Sequence, residues 1–449
     1  MFEDLRKRFD EAARLHGVPG AALAVWKGGE LVEVATGVVN RNTGVETTPD
    51  SVFQVGSTTK VWTAALVMQL VEEGLVELDR PVREYLPEFA VADGAEKVIT
   101  VRHLLTHTGG FDGDLFEDTG RGDDCLDKYV DYLHGAGHVH APGVLFSYCN
   151  AGFCVLGALV ARLRGVTWET AMRERLLEPL GATHWALLAE EAVLFRAAAG
   201  HVGPEGTVHP SWQMPRSNAP AGSTMCLAPR ELVRFGRMFT AGGLAEDGTR
   251  LLSEESVAAM RTRQVGVPGV SGLPADRWGL GFELFDWGGE VFGHDGGTIG
   301  QSTFWRVVPE ADFVVAMSVN GAGFAGLLAD VVLPLIREAT GLAVPGFPVP
   351  AGAPVAVDLT PYTGRYEGPV IAYEVGEADG GLEVVMIPGE FMASVGTPRT
   401  TTRFVHDGEH SFIAAEPEEG RHETLTFVVE DGRAAYIHNG RALRRVLGD

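Results

Sequence analysis

The stretch Val52-Phe-Gln-Val-Gly-Ser-Thr-Thr-Lys60 joins a strand-like apolar run to the first turn of a helix. After it, apolar residues recur at helical spacing as far as about Glu73, and Gly74 provides a stop. The apolar positions are Val61, Ala64, Ala65, Met68 and Val71. This pattern predicts a helix that is buried nearly all round.

Ser57 and Lys60 form the only Ser-x-x-Lys sequence in the chain. Residues at i and i+3 of a helix share a face, with Cβ atoms about 5–6 Å apart, so the lysine can reach the serine hydroxyl. A serine attacks carbonyls poorly until a neighbour takes its proton, and a lysine desolvated in a cleft can do so. Arginine could not, because it keeps its proton in proteins. Only five of the 36 basic residues are lysines. The competing interpretation is that Ser57 caps the helix and Lys60 is solvated.

Strand patterns occur at both ends of the first 340 residues. Segments 21–26 and 31–35 predict a hairpin, whose first strand is apolar on both faces and therefore central. Strand patterns return at residues 278–285, 290–293, 302–308 and 312–318. A helix is predicted at about 323–340, and residues 80–240 read as helices and Gly-rich loops. The simplest α+β architecture is a sheet built from both ends and split by a helical insert at about 80–240.

A Pro/Gly-rich segment at residues 344–357 predicts a linker between two domains. The preceding residues, 1–343, are expected to form the first domain. Residues 358–449 contain short alternating segments, separated by Asp-Gly and Glu-Gly pairs at a spacing of about 8–12 residues. This spacing predicts a small antiparallel β meander or barrel of lipocalin-like form as the second domain.

The charge balance of the chain excludes some classes of partner. The 449 residues include 36 basic and 60 acidic ones, a formal net charge of −24. This charge repels phosphate backbones and anionic lipid, so we expect neither nucleic acid nor a membrane as a partner. Apolar residues make up 45% of the sequence, and no segment reaches about 18 uncharged apolar residues. The composition is that of a globular protein.

The four cysteines are too few and too irregularly spaced for a disulfide framework or a Cys-x-x-Cys zinc site. The first residues, MFEDLRKRFDEAARLHG, are charged and helix-periodic, without an apolar leader. We therefore expect a reducing, cytoplasmic location.

Two further clusters carry residues that can do chemistry. Tyr148-Cys-Asn150 follows a Pro-Gly turn and precedes an apolar helix, and Gly293-His-Asp-Gly-Gly297 lies between two predicted strands. Tyrosine offers a phenolic proton, asparagine a donor and an acceptor, and histidine a ring that titrates near neutrality. Each residue also has an ordinary interpretation, with Tyr148 as a core aromatic, Asn150 as a helix cap and His294 in a tight turn.

In this order and at these separations, the three clusters resemble the serine acyl-enzyme family of class C β-lactamases, DD-peptidases and their esterase and aminopeptidase relatives. That family carries Ser-x-x-Lys at the start of a buried helix, Tyr-x-Asn on a loop of the helical region, and Lys-Thr-Gly or His-x-Gly on an edge strand. Segments 104–110 and 220–236 look like further landmarks, so the resemblance covers about residues 10–340. It implies a class C β-lactamase-like first domain, in which helices flank an antiparallel sheet and the insert is all-helical.

The resemblance also implies a role for each site residue. Ser57 would be the nucleophile, and Lys60 its base or its electrostatic partner. Tyr148 would pass the proton to the leaving group and later activate the acceptor. Asn150 would hold Lys60 and a substrate amide, and His294 would orient Tyr148 or bind a carboxylate.

By the same resemblance, the oxyanion would lie between the backbone N–H groups of Ser57 and Gly297. Losing one such donor typically costs on the order of 10²–10³ in rate. Two positions depart from the family pattern. Cys149 stands where a small polar residue is usual, and His294 replaces a lysine that nothing after Lys128 could supply. We therefore do not expect potent penicillin hydrolysis.

Other kinds of site are less well supported. His103 and His107 are four residues apart, as in some zinc sites, but no Glu-x-x-His pattern accompanies them. The acidic loop 112–124 reads as a solvated flap and not as a calcium loop. Neither a Gly-x-Ser-x-Gly elbow nor a Gly-Lys-Ser/Thr phosphate loop occurs. We expect neither a metal nor a cofactor.

The motifs do not distinguish water, an alcohol or an amine as the group that discharges the acyl-enzyme. The His-x-Gly form and the appended β-domain are similar to penicillin-binding-protein-type thioesterases. That similarity implies a D-configured peptidyl group, taken from a carrier-protein thioester and closed head to tail onto an amine. A cytoplasmic esterase, D-aminopeptidase or amidase that uses water is the second hypothesis. An inactive binding protein is the third, although the retained Lys60 argues against it. The sequence does not indicate an oligomeric state.

Overall fold

The computed structural model describes residues 2–203, 205–269, 275–351, 357–394, 396–418 and 420–446. Its α-helices are α1 (Leu5–Leu15), α2 (Thr59–Glu72), α3 (Val101–Leu105), α4 (Cys125–Tyr132), α5 (Asn150–Arg164), α6 (Trp168–Met172), α7 (Ala189–Ala192), α8 (Pro229–Thr240), α9 (Glu254–Arg261), α10 (Phe324–Leu327), α11 (Leu333–Thr340) and α12 (Glu390–Ser394). Two π-helical turns, Arg173–Leu177 and Leu328–Val332, continue α6 and α10.

The strands fall into two sets along the chain. The first set is β1 (Gly20–Lys27), β2 (Glu30–Asn40), β3 (Val45–Glu46), β4 (Phe53–Gln54), β5 (Trp185–Ala186), β6 (His201–Val202), β7 (Thr207–Val208), β8 (Cys226–Leu227), β9 (Val265–Gly266), β10 (Arg277–Trp278), β11 (Glu283–Asp286), β12 (Glu290–Gly293), β13 (Gly296–Thr298), β14 (Gln301–Val308) and β15 (Phe313–Val319). The second set is β16 (Gly364–Glu367), β17 (Ile371–Ala378), β18 (Gly381–Pro388), β19 (Thr400–His406), β20 (Ser411–Ala414), β21 (Thr424–Glu430), β22 (Arg433–His438) and β23 (Ala442–Arg445).

The main sheet has the order β3-β2-β1-β15-β14-β12-β11-β10-β9, and β13 pairs with β14. Strand β1 lies between β2 and β15, with Ala24 opposite Glu33 on one side and Ala316 on the other. This position confirms the prediction that the first, doubly apolar strand is central. The two ends of the domain therefore share one antiparallel sheet, as expected.

One predicted strand is wrong in its extent. Segment 278–285 forms parts of two strands, β10 and β11, instead of one. Gly281 between them has φ of +87°, and a Cβ on it would lie 2.6 Å from the Cβ of Ala64 on α2. The chain leaves the strand conformation there because it approaches α2 closely.

Helix α2 lies in the core between the sheet and the insert, and all its residues from Thr59 to Met68 are buried. The indole of Trp62 stacks on Phe235 of α8, with ring centroids 3.7 Å apart. On the opposite face of the sheet, α1 and α11 pack around a second core that includes Phe9 and Ile336. The serine helix is thus buried nearly all round, as its sequence predicted.

The insert at about residues 80–240 is not all-helical as expected, because it carries the short strands β5 to β8 as well as helices. Strand β8 pairs with both β4 and β5, and Phe53 lies opposite Leu227. Strand β4 ends three residues before Ser57, so this small sheet fixes the chain where it enters the serine turn. Two-residue strands of this kind have no periodicity that a sequence pattern could reveal.

The second set of strands forms a closed barrel in the order β16 to β23. The strands β16 and β23, which pair to close the barrel, have no counterpart in the sequence prediction. Aromatic residues such as Tyr366 and Phe427 fill its core. The predicted linker, 344–357, lies partly outside the described residues, and its role as a domain boundary stays a prediction.

Among the described residues, no single helix is long and apolar enough to cross a membrane. Helices Asn150–Arg164 and Trp168–Leu177 meet the length and composition test only as a pair, and they are bent by 79°. All four cysteines are free and buried.

Candidate active site

Ser57 lies in a 3₁₀ turn, Gly56–Thr58, that leads directly into α2. Backbone N–H groups at the start of a helix have no partner within it, so the N–H of Ser57 is available to a ligand. Gly56 has φ of +55°, and a Cβ there would lie 2.4 Å from the backbone nitrogen of Gly297. Only glycine lets the serine turn approach β13 this closely.

Gly296 of β13 also allows the serine turn and β13 to approach each other closely. A Cβ on Gly296 would lie 1.9 Å from the Val55 carbonyl oxygen and 3.2 Å from the Ser57 nitrogen. The serine turn and β13 therefore run side by side. This is the backbone arrangement that an oxyanion hole made from the N–H groups of Ser57 and Gly297 requires.

Lys60 is completely buried and points at the serine. Its Nζ donates hydrogen bonds to Ser57 Oγ at 3.0 Å and to the Ala221 carbonyl at 2.6 Å. Burial lowers the pKa of Lys60 to about 7. The helix cap and solvated lysine of the competing interpretation are not observed, and a proton acceptor for Ser57 stands in their place.

The Ala221 carbonyl is a site group that the sequence did not single out. It belongs to the 3₁₀ segment Arg216–Ala221. The next residue, Gly222, has φ of +118°, and a Cβ on it would lie 2.1 Å from the carbonyl oxygen of Gly56. This close approach positions the Ala221 carbonyl over the lysine. The only signal in the sequence was the resemblance of segment 220–236 to the family.

Tyr148 lies over the same pair, with its ring centroid 4.8 Å from Lys60 Nζ. Its hydroxyl is buried and has no hydrogen-bond partner among the described residues. Burial raises the pKa of the phenol, and proximity to the Ser57 hydroxyl acts in the opposite direction. Tyr148 is therefore a protonated phenol that lies beside the Ser57 hydroxyl.

His107 packs against the ring of Tyr148. The two rings stack with centroids 4.2 Å apart. His107 Nδ1 accepts the backbone N–H of Cys149 at 2.9 Å, and the His107 carbonyl accepts that of Ser147 at 2.8 Å. Sequence reasoning considered His107 only as a metal ligand. Its contacts are those of a residue that positions Tyr148.

Asn150, the first residue of α5, lies behind the lysine and not on it. Its side-chain nitrogen donates to Asp114 Oδ1 at 2.6 Å. The expected hydrogen bond between Asn150 and Lys60 is absent among the described residues, and the lysine amine donates to Ser57 Oγ and the Ala221 carbonyl instead. Asp114 in turn accepts hydrogen bonds from Arg441 of the barrel. Sequence reasoning missed both Asp114 and Arg441, since neither belongs to a motif.

His294 is buried at the other wall of the site. Burial lowers its pKa to about 3, so the ring is neutral at neutral pH, and the expected titration near neutrality does not occur. Nδ1 lies 2.5 Å from the Asp295 carbonyl, which requires the proton on Nδ1. The carboxylate of Glu283 lies 3.6 Å from Nδ1. The ring is neutral and its one N–H is bound to the Asp295 carbonyl, so it offers a substrate carboxylate neither charge nor donor, which argues against the expected carboxylate-binding role.

The structure brings Ser57, Lys60, Tyr148, His294 and Gly297 together around one cleft of about 430 Å³. Other lining residues are Phe146, Trp278, Glu283, Asp295, Gly440 and Arg441. Asn150 does not line this cleft. The cleft combines a serine hydroxyl, a lysine amine whose pKa burial lowers, a phenol and backbone N–H groups, and acyl transfer through a serine ester needs groups of these kinds.

The barrel contributes part of this cleft through the turn between β22 and β23. This turn holds three consecutive residues, 146–148. The bonds run from His438 Nε2 to the Phe146 carbonyl (2.9 Å), from the Tyr148 N–H to the Gly440 carbonyl (3.0 Å) and from the Ala442 N–H to Ser147 Oγ (3.1 Å). The guanidinium of Arg441 also lies 5.0 Å from the Tyr148 ring centroid. The barrel therefore helps to position Tyr148.

Within the described ranges, no group of three or more His, Cys, Asp or Glu side chains is placed to hold a metal ion. The two histidines at i and i+4 make separate contacts. His103 Nδ1 accepts the Thr100 N–H at 3.2 Å, whereas His107 bonds to Cys149.

The chain is similar to several known proteins. Residues 5–332 match the Beta-lactamase family. Penicillin-binding protein 4 of Amycolatopsis lactamdurans is 44% identical over 368 residues, which are 81% of this chain and 96% of that protein. The crystal structure of SurE superimposes with a TM-score of 0.76 at 31% identity, covering 99% of this chain and 98% of SurE, and SurE has also been solved with D-Leu.

A class C β-lactamase from Rhodobacter sphaeroides shares the fold, with a TM-score of 0.60 at 20% identity over 74% of this chain and 98% of that one. This confirms the predicted class C β-lactamase-like domain. The family match, which spans more than half of the chain, shows that the protein belongs to the β-lactamase family of serine hydrolases.

Proposed function

We propose that this protein is a serine acyltransferase that releases a peptidyl group, with a D-configured residue at the acyl position, as a head-to-tail cyclic peptide. The donor is a peptidyl thioester presented by a carrier protein in the cytoplasm. The observation that carries the acyl-enzyme part is the 3.0 Å contact between Ser57 Oγ and the buried Lys60 amine. The similarity to SurE, solved with D-Leu, supports the D-configured acyl residue.

Acylation begins when Ser57 Oγ attacks the acyl carbon and Lys60 takes the hydroxyl proton. The carbonyl oxygen becomes negatively charged and accepts hydrogen bonds from the N–H groups of Ser57 and Gly297. The bond to the leaving group then breaks, and the departing sulfur, oxygen or nitrogen takes a proton from the Tyr148 hydroxyl. Lys60 passes the proton that it took from Ser57 to Tyr148, which restores the phenol. The products are the Ser57 ester and the protonated leaving group.

Deacylation reverses these roles. The acceptor nitrogen bonds to the acyl carbon and loses a proton through Tyr148 to Lys60. The carbon–oxygen bond to Ser57 breaks, and Oγ regains that proton. If water takes the place of the amine, the product is the linear acid, as in the second hypothesis.

A fluorophosphonate probe followed by mass spectrometry tests the acyl-enzyme. We expect one adduct on the intact protein, located on Ser57, and none in Ser57→Ala. An unmodified native protein would favour the inactive binding protein and contradict the proposal.

A soluble peptidyl thioester ending in a D-residue tests the transfer. We expect a product one water lighter than the linear acid, and little turnover of the matched substrate ending in the L-residue. Linear acid alone would make the protein a hydrolase and exclude the cyclase function. Equal turnover of the two substrates would contradict the D-preference.

A further inference from the structure

A group of acidic residues lies in the cleft beside His294 and takes no part in the acylation described above. Glu283 opens β11, and its side chain is largely buried but lines the cleft. Its Oε2 accepts the backbone N–H of Asp295 at 3.2 Å. Its Oε1 accepts no hydrogen bond among the described residues, so this oxygen is open to a ligand.

His294 carries a second vacant acceptor, and this residue lines the same cleft as Glu283. The side chain is 1% exposed, and its Nε2 has no hydrogen-bond partner in the described part of the chain. Because Nδ1 carries the proton toward the Asp295 carbonyl, Nε2 presents a lone pair. A buried acceptor without a donor is costly, so this position calls for a ligand that donates.

Around Glu283, acidic groups outnumber the positively charged groups that could pair with them. Arg306 is committed to Asp295, with hydrogen bonds of 2.7 and 3.1 Å, and lies 3.8 Å from Glu283. His294 is neutral, and burial leaves Lys60 mostly uncharged above pH 7. Two carboxyl groups therefore share one arginine. Burial, followed by repulsion from Asp295, raises the pKa of Glu283.

We propose that Glu283 and His294 bind the amino group of the acyl acceptor. This inference rests on the proposed function and names the subsite that the attacking amino end of the peptide occupies. An α-amino group supplies several N–H donors and a positive charge, and the two vacant acceptors and the missing cation match both properties. A bound ammonium favours the ionised carboxylate, and burial, which raises the pKa of Glu283, then lets this carboxylate take a proton from the ammonium and release the neutral amine that attacks.

The neighbouring cavity has room for the rest of the acceptor. Asp295 lines both the cleft and a second cavity of about 580 Å³ between the first domain and the barrel. That cavity has apolar walls at Phe324 and Leu328 and carboxylates at Glu418 and Glu423. This volume lies within the range of small-molecule and peptide sites. A peptide could therefore reach Glu283 with its amino end while its body occupies the second cavity.

The transfer step then balances. The ammonium gives one proton to Glu283, and the neutral nitrogen bonds to the acyl carbon. The nitrogen loses a second proton through Tyr148 to Lys60, and this proton returns to Ser57 Oγ as the ester bond breaks. Glu283 later releases its proton to solvent.

The variant Glu283→Gln separates this role from a structural one. The glutamine keeps the shape and a carbonyl oxygen for the Asp295 N–H, but it has neither the charge nor a site for the proton. The experiment forms the acyl-enzyme from an N-acetylated peptidyl thioester and divides it between water, methanol and glycinamide. The amounts of the three products are then compared in the native protein and the variant.

We expect transfer to glycinamide to fall about tenfold or more in Glu283→Gln. Acylation, hydrolysis and transfer to methanol should stay within about threefold of the native values, since none of them uses an ammonium. Unchanged transfer to glycinamide would overturn the inference. An equal loss in all four rates would overturn it too, because that pattern marks a structural role.

Two further results distinguish the inference from the proposed function. If the native protein forms the acyl-enzyme and passes it to water and never to glycinamide, the acceptor site is wrong while the serine chemistry stands. If no acyl-enzyme forms, the proposed function itself is wrong. A donor with a free amino group supplies its own acceptor. For this donor we expect Glu283→Gln to reduce cyclisation about tenfold or more and to leave acylation within about threefold, and a loss in acylation alone would overturn the inference.

Discussion

Lys60 carries an amine that burial deprives of water, while Ser57 Oγ and the Ala221 carbonyl accept its hydrogen bonds at 3.0 and 2.6 Å. Burial disfavours the charged form and lowers the pKa to about 7. An ordinary surface lysine stays protonated at neutral pH and cannot accept a proton. The same desolvation that makes Lys60 a base therefore also costs folding free energy.

The rate of Ser57 acylation should depend on pH through Lys60. Only the neutral amine accepts the serine proton, so the rate should rise about tenfold per pH unit below 7 and level off above it. Stopped-flow acylation by a soluble thioester from pH 5 to 9 measures this. The control is Lys60→Arg, which keeps the charge without the base and should lose at least about 10²-fold at every pH. Substantial activity in that variant would mean that the lysine acts by its charge alone.

Replacing Lys60 with methionine should stabilise the fold. The folded pKa, about 7, lies below the unfolded value near 10.4, so the unfolded chain binds more protons between these limits. The native protein therefore gains stability as pH rises through this window, and the penalty is complete below pH 7. Lys60→Met should be the more stable protein at pH 6 and should lose that advantage by about pH 10. Denaturant unfolding at several pH values checks this, and a constant difference would contradict it.

At the scale of elements, the loop before α5 is held in place by its surroundings. His107 stacks under Tyr148 and accepts the Cys149 N–H, and it does so from a left-handed backbone with φ of +56°. Asparagine and histidine are the side chains that most readily adopt this conformation. The loop needs one residue that supplies both a ring and an acceptor.

Two variants separate these contributions. His107→Asn keeps an acceptor and tolerates the backbone, whereas His107→Phe keeps the ring and leaves the Cys149 N–H buried and unpaired. We expect His107→Phe to lose about 1–3 kcal/mol of unfolding free energy beyond the loss in His107→Asn. Thermal unfolding of the two variants measures this difference in stability. In kinetics, kcat should fall in both variants with little change in KM, since Tyr148 acts on bound substrate. A rise in KM alone would contradict a positioning role.

Local sequence signals predicted the long elements and failed at the short ones. The apolar spacing after Ser57 predicted α2, and the doubly apolar pattern of residues 21–26 predicted a central strand. The split of segment 278–285 could not be predicted, because the approach of Gly281 to Ala64 is a contact between distant parts of the chain. For the same reason, no local pattern indicated that Asn150 bonds to Asp114.

At the scale of the whole molecule, the barrel is part of the site. Its turn after β22 bonds to three consecutive residues, 146–148, and Arg441 pairs with the buried Asp114. The sequence predicted that a small β-domain follows but offered no evidence for its role. These contacts join residues almost 300 positions apart, a separation that motifs and periodicity do not sense.

Breaking the pair between Arg441 and Asp114 should couple stability to activity. Arg441→Gln leaves a largely buried carboxylate without its cation, so we expect a loss of about 1–3 kcal/mol in unfolding free energy and a slower acylation. The double variant with Asp114→Asn should recover part of both, since it removes the unpaired charge. Denaturant unfolding and acylation rates of the four proteins measure the coupling. Strictly additive effects would show that the pair does not act as a unit.

The most direct test of the central claim, a neutral lysine that activates Ser57, is an NMR titration of the lysine side chains. The chain has only five lysines, so selective labelling gives five resonances, and the one absent from Lys60→Met belongs to Lys60. We predict that this resonance titrates near pH 7. A Lys60 resonance that titrates near the ordinary lysine value of about 10.4 would contradict the account.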